Sequence, residues 1–148
     1  MSSDLPMFIT AVEALVVHDG KILTIVRSST DEHAPGTLTF PAGKVEYGED
    51  VDDILESTVI REVEEETGVI VDQPRYLFSR MFKSDTGLAV VLAEFVCHYA
   101  GGEAHVCDLA ETDAVAWLTE DEIRRDPRTP VWTQQVLDRL NEYLGKDW

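Results

Sequence analysis

Apolar residues recur along the chain in two spacings: strand-length runs, and helical stripes with one apolar position in three or four. Phe8 to Val17 reads FITAVEALVV, the turn His18-Asp19-Gly20-Lys21 follows, and ILTIVR completes a predicted β-hairpin. Glu13 interrupts the first run, which implies that one face or end of that strand is polar. Arg27 closes the second run and leads into a polar loop, Ser28 to Gly36, holding His33 and Pro35. Leu38 and Phe40 form a short strand entering Pro41-Ala42-Gly43. Further on, Val69 to Val71 and Arg75 to Phe82 read as two strands split by Asp72-Gln73-Pro74. Lys83 to Gly87 turns the chain into Leu88 to Tyr99, the longest predicted strand, and Ala100 to Ala110 reads as a loop.

Helical spacing appears where the strands stop. Leu55, Val59 and Val63 form one stripe, and Asp53 with Glu56 has the spacing of a capping box, so a helix is expected from near Asp53. Thr119 and Glu122 are a second capping box, opening a short helix after the segment ETDAVAWL. Val136, Leu137, Leu140 and Leu144 define a final helix over Val131 to Leu144, with Trp132 near its start read as packing or as bordering the pocket. Strands before and after a central helix, with helices at the end, predict an α/β fold with a mixed sheet between helices. No repeat or composition shift divides the chain, so residues 1–148 read as one domain with a loose terminus at Met1 to Pro6.

The first helix also carries an acidic run, Glu62, Glu64, Glu65 and Glu66, ended by Thr67-Gly68. With Glu62 set at 0° on a helical wheel, Glu66 falls near about 40°, Glu65 near about 300° and Glu64 near about 200°. Three acids therefore converge and Glu64 points away. The stripe of Leu55, Val59 and Val63 lies beside the acidic face rather than opposite it, so these carboxylates border the core. Like charges within one turn repel, and two readings account for them: a solvated acidic face, or a seat for a hard divalent cation. Mg²⁺ takes oxygen ligands, usually one or two carboxylates with waters and substrate phosphates.

The flanks give the run a family likeness. Gly43, Glu49, Arg61, Glu62, Val63, Glu65, Glu66, Gly68 and Val69 fill in order the pattern of the Nudix box, which the segment resembles. One departure is the eleven residues Asp50 to Ile60 between Glu49 and Arg61, where the pattern has seven. Four extra residues are close to one helical turn, and we expect them mainly in the loop. The resemblance implies the Nudix α/β/α sandwich with a mixed β-sheet. It also implies that Glu62, Glu65, Glu66 and the Gly43 carbonyl bind metal, and that Glu62 accepts a proton from water while Arg61 holds it in place. A base beside metals is expected to stay ionised at neutral pH. Glu111 stands six residues before Trp117, where some relatives carry a further catalytic or metal-binding glutamate. Arg27 matches a position that often reaches substrate phosphates, and reads equally as a surface arginine at a strand end; Arg80 and Lys83 are further candidates. Glu46 follows in the box loop, while Phe78, Phe82, Phe95 and Tyr99 are read as core or as base-stacking residues.

Composition bounds the partners. Twelve basic and 29 acidic residues give a net charge of −17, which argues against a nucleic-acid surface and against an anionic membrane. The same field repels phosphorylated substrates, so bound cations must reverse the sign locally. Only four of the twelve cations are lysines, a surface that suits a high-salt cytoplasm as well as ordinary solubility. Cys97 and Cys107 are too few for a metal knuckle, and with no signal peptide they read as reduced structural thiols of a cytoplasmic protein. No apolar stretch approaches the ~20 residues of a membrane span.

The expected activity is Mg²⁺- or Mn²⁺-dependent hydrolysis of a phosphoanhydride in a nucleoside diphosphate linked to a group X. Nucleoside triphosphate, nucleotide-sugar and ADP-ribose substrates all fit, and the short chain favours small nucleotides. A homodimer is left open. The rival reading is a catalytically silent, nucleotide-sensing protein of the same fold, which the intact box acids oppose. An isopentenyl-diphosphate isomerase would need further Cys and His positions that Cys97 and His98 do not supply.

Overall fold

A computed structural model describes residues 5–145 and 148. Met1 to Asp4 of the expected loose terminus lie outside the described residues. Ten elements follow in order: β1 Ile9–His18, β2 Lys21–Arg27, β3 Leu38–Thr39, β4 Ala42–Lys44, α1 Ile54–Thr67, β5 Ile70–Lys83, β6 Ala89–Gly101, β7 Thr112–Leu118, α2 Glu120–Arg125 and α3 Val131–Leu144. The sheet is mixed. Its order is β3-β2-β1-β6-β5, with β7 paired to β2 and β4 paired to β1. The β1–β6 pairing is parallel and the others are antiparallel.

β1 is forked on one side. Its last residues pair with β2 through Val17 and His18, whereas Ala11, Val12 and Glu13 pair with β4. The fork brings the box loop against the middle of the sheet. The hairpin turn places Asp19 and Gly20 at φ 51° and 73°, the left-handed pair that tight two-residue turns require.

Two cores lie on the two faces of this sheet. Val12, Ala14, Val16, Ala93 and Phe95 meet Val59 and Val63 of α1. Leu15, Ile22 and Phe40 meet Ile123 of α2 and Val136, Leu137 and Leu140 of α3. Side-chain alternation along β1 feeds both, and each fully buried Val or Leu contributes about 1.5–3 kcal/mol. Cys97 is buried and its thiol is pushed up to about 12 by desolvation. Cys107, expected to be structural, is exposed.

Several boundaries differ from the sequence expectation. α1 starts where anticipated, at Ile54, and Asp50 to Asp53 are not helical, but the Asp53 capping box does not form. Asp53 sits in the left-handed region, φ 54°, and its side chain accepts no cap hydrogen bond. The predicted break at Asp72-Gln73-Pro74 is a bulge within one continuous β5, with Gln73 at φ 48°. β5 is an edge strand, where a proline removes no ladder hydrogen bond. At 14 residues it also exceeds β6. The second capping box forms fully: Glu122 N–H donates to Thr119 Oγ1, and Thr119 N–H donates to Glu122 Oε1.

Candidate active site

α1 ends abruptly, and its end is tied down. The Thr67 hydroxyl donates to Val63 O at 2.6 Å and accepts from the Val69 N–H, while Gly68, at φ 77°, donates its N–H to Glu64 O at 2.9 Å. The imidazole of His105 lies against the Gly68 Cα, so closely that a Cβ there would overlap it. His105 N–H donates to Thr67 O at 2.9 Å, so the loop after β6 clamps the end of the helix. His105 falls in the predicted loop Ala100 to Ala110. A glycine inside the box was the available signal, but its neighbour lies 37 positions away in the chain.

From this clamped end, α1 aims Glu62 and Glu66 at β4. The Ala42 N–H donates to Glu66 Oε2 at 3.0 Å. Gly43 faces the Glu62 carboxyl so closely that a Cβ would overlap it. Arg61 Nη2 donates to Glu62 Oε1 at 3.1 Å and its Nε stands 4.0 Å from Glu65 Oε1. The side chain of Glu62 is 19% exposed and that of Glu65 62%, so Glu65 stands at the solvent rim of the group. Glu64 is exposed, as its position on the wheel requires.

Electrostatics draw Glu111 into the same neighbourhood. Burial pushes the Glu66 carboxyl up to about 8, against the Ala42 hydrogen bond, with the charges of Glu62 and Glu111 adding to the rise. Glu62 is also raised by burial; Arg61 opposes this, and Glu65 and Glu111 reinforce it. Burial therefore works against the ionised base expected from the sequence, and Arg61, Arg27 and the Ala42 N–H offset it only in part. Arg27 lowers Glu66 and reaches into the next loop, donating to Asp31 Oδ2 at 2.8 Å and to His33 O at 2.9 Å.

The other predicted residues lie elsewhere. Arg80 is on β5 beside Glu94, its Nη2 donating to Trp132 O at 3.4 Å. Lys83 is exposed at the end of β5. Glu46 and Glu49 line a cleft of about 920 Å³ with Phe8, Thr10, Tyr47 and Ile54. Phe95 is core, Phe78 lies under Arg139 at 4.4 Å, and Tyr99 packs with His18 and Trp117.

Among the described residues, no three His, Cys, Asp or Glu side chains stand together at metal-holding spacing. The donor set nevertheless suits a hard cation. Glu62, Glu66 and the Gly43 carbonyl are oxygen donors, and the missing Cβ at Gly43 lets the Glu62 carboxyl lie directly against this strand. Two carboxylates are within the range that Mg²⁺ uses, the remaining positions going to waters and phosphates.

Fold and site together define a family: residues 7–140 match the NUDIX domain, and the chain belongs to the Nudix hydrolases. It is 33% identical over 137 residues to a MutT-like protein of Streptomyces ambofaciens, covering 92% of this chain and 79% of that one. Over 105 residues it is 35% identical to an NAD-capped RNA hydrolase of Deinococcus radiodurans, covering 71% of this chain and only 35% of the relative. The crystal structure of a MutT Nudix hydrolase from Burkholderia pseudomallei superposes with a TM-score of 0.75 at 26% identity, covering 91% of this chain and 99% of that one.

Proposed function

We propose that this chain hydrolyses a phosphoanhydride bond in a nucleoside diphosphate linked to a second group, of the nucleoside triphosphate, nucleotide-sugar or ADP-ribose type, with Mg²⁺ or Mn²⁺. The observation that carries the reading is the convergence of Glu62 and Glu66 on Gly43 and Ala42, with the Glu111 charge reaching both acids. Family membership supplies the reaction class. The Deinococcus relative is named for NAD caps, whose diphosphate linkage is of the proposed kind, although this chain spans about a third of its length.

Glu62, Glu65, Glu66 and the Gly43 carbonyl would hold the cation, which when bound neutralises phosphate oxygens and lowers the pKa of water. Glu62 would take the proton from the attacking water, a reading supported by its low exposure, its approach to Gly43 and its contact with Arg61 at 3.1 Å. Glu111 is the second candidate for that role. Arg61 also restrains Glu65. Arg27, held near Glu66, and Arg80 and Lys83 on β5 would receive phosphate charge in a chain otherwise short of cations.

A panel of ADP-ribose, nucleoside triphosphates, oxidised dGTP and dinucleoside polyphosphates, each with Mg²⁺ and with Mn²⁺, tests this by product identity. Turnover of at least one to a phosphate-bearing pair of products is expected. Inertness toward the whole panel would favour the nucleotide-sensing alternative.

A further inference from the structure

On the sheet face opposite α1, two glutamates lie side by side in the core. Glu13 and Glu94 are direct partners in the parallel register of β1 and β6, at 6% and 0% exposure. The alternation that turns Val12, Ala14 and Ala93 toward α1 turns these two toward α3. Thr39 Oγ1 donates to Glu13 Oε2 at 3.3 Å, but no N–H or O–H of the described residues donates to either Glu94 oxygen. Such an unmatched buried polar group is costly and calls for a role.

Adjacent buried carboxyls do not both ionise. Burial holds Glu94 well above the carboxylate range and the neighbouring Glu13 charge adds to it; burial also raises Glu13, while the hydrogen bond with Glu94 pulls it back. Glu94 therefore carries the shared proton and donates it toward Glu13. The cation beside the pair is Arg80, whose Nη2 stands 4.0 Å from Glu94 Oε1. Its side chain is 23% exposed and spans from the buried acid to the first turn of α3, at Trp132 O. Arg27 on β2 also faces Glu13, Thr39 on β3 is neutral, and Arg139 of α3 lies over the Phe78 ring.

We propose that Glu94 and Glu13 are a positioning pair for Arg80, and that the protons the pair holds set how much positive charge Arg80 offers an anionic ligand. The inference rests on the reading of Arg80 as a phosphate partner. With one shared proton the pair carries a single negative charge, which nearly balances the guanidinium. Losing that proton leaves two negative charges under one cation and draws Arg80 inward, away from the ligand.

AMP, which is not consumed and whose phosphate is ionised above neutral pH, is a suitable probe. Its Kd would be measured by calorimetry with Mg²⁺ from about pH 7 to about pH 9.5 in the wild type and in Glu94→Gln, Glu13→Gln and Arg80→Gln, a window above the phosphate's second pKa of about 6. The wild-type Kd is expected to rise roughly three- to tenfold across this range, the scale of one partly exposed charge interaction. Glu94→Gln should give a shallower profile than the wild type, because an amide bridges to Glu13 without a proton to lose and only the slope due to Glu66, pushed up to about 8, is left in place. Glu13→Gln should make it shallower too, which keeps the test decisive where Glu94→Gln does not fold. A pair that merely supports the fold would lower the variants' melting temperatures and leave the slope in place, and that result overturns the inference. So does a flat wild-type profile, or no AMP binding at any pH. An Arg80→Gln Kd equal to the wild type's removes Arg80 from the ligand and sinks the underlying reading, whereas weakened Arg80→Gln binding with an undiminished Glu94→Gln slope sinks the positioning pair alone.

Discussion

Gly43 and Glu62 meet across the gap between β4 and α1 with no room for a side chain between them. The glycine is required by a close approach rather than by its own backbone, since Gly43 is not among the positive-φ residues. Gly43→Ala should therefore displace the Glu62 carboxyl while leaving the strand intact. An oriented group moved by an ångström costs about 100-fold in rate, so kcat should fall to that extent with circular dichroism unchanged. Full activity in Gly43→Ala would show that Glu62 does not need its present position.

The acids of α1 should separate by direction. Glu62→Gln and Glu66→Gln are each expected to lower kcat at least ~100-fold, as the loss of charge stabilisation in a preorganised site does. Glu64→Gln, on the exposed side, should stay within about twofold of the wild type, as surface substitutions usually do. Glu65 at the rim is the discriminating case: a loss in Glu65→Gln comparable to that in Glu66→Gln means that it swings in to bind the cation. Steady-state kinetics on the four variants would decide.

Gly68→Ala tests the clamp on the end of α1. The position needs φ 77° and has the His105 imidazole against it. A non-glycine residue in such a conformation costs about 1–3 kcal/mol, and the overlap with His105 adds to that. Thermal unfolding should show a clear fall in Tm, partly rescued by His105→Ala. An unchanged Tm would mean that the loop after β6 moves aside freely.

The buried pair also makes stability depend on pH in an unusual direction for carboxylates. Both Glu13 and Glu94 have folded pKa values raised above 4.5, so above that pH the folded chain holds more protons than the unfolded one. Their contribution to stability is then lost as pH rises toward the pair's own titration. Glu94→Gln removes one such group. Its stability relative to the wild type should improve as the pH rises above the ordinary carboxylate range in urea unfolding, and a constant difference would refute the assignment.

Local pattern was enough for much of this protein. The 3.6-residue spacing of Leu55, Val59 and Val63 predicted α1, and helical phase, a local property, separated inward Glu62 and Glu66 from exposed Glu64, although Glu65, expected to converge with them, stands at the solvent rim. Thr119 with Glu122 and the stripe of α3 were equally readable, each depending on residues within a few positions of one another. The nine matching residues from Gly43 to Val69 were enough to suggest the family. Pairing between distant segments was not readable. Nothing near Glu94 in the chain marks it as the partner of Glu13, since only the parallel register of β1 and β6 sets them side by side. His105 meets Gly68, Arg80 meets Glu94 rather than the box acids, and Asp53 gives up its cap, because long-range packing outweighs preferences worth about a kcal/mol. The sequence determined which acids face inward from α1; the tertiary structure alone decided what they face and which acids elsewhere are buried with them.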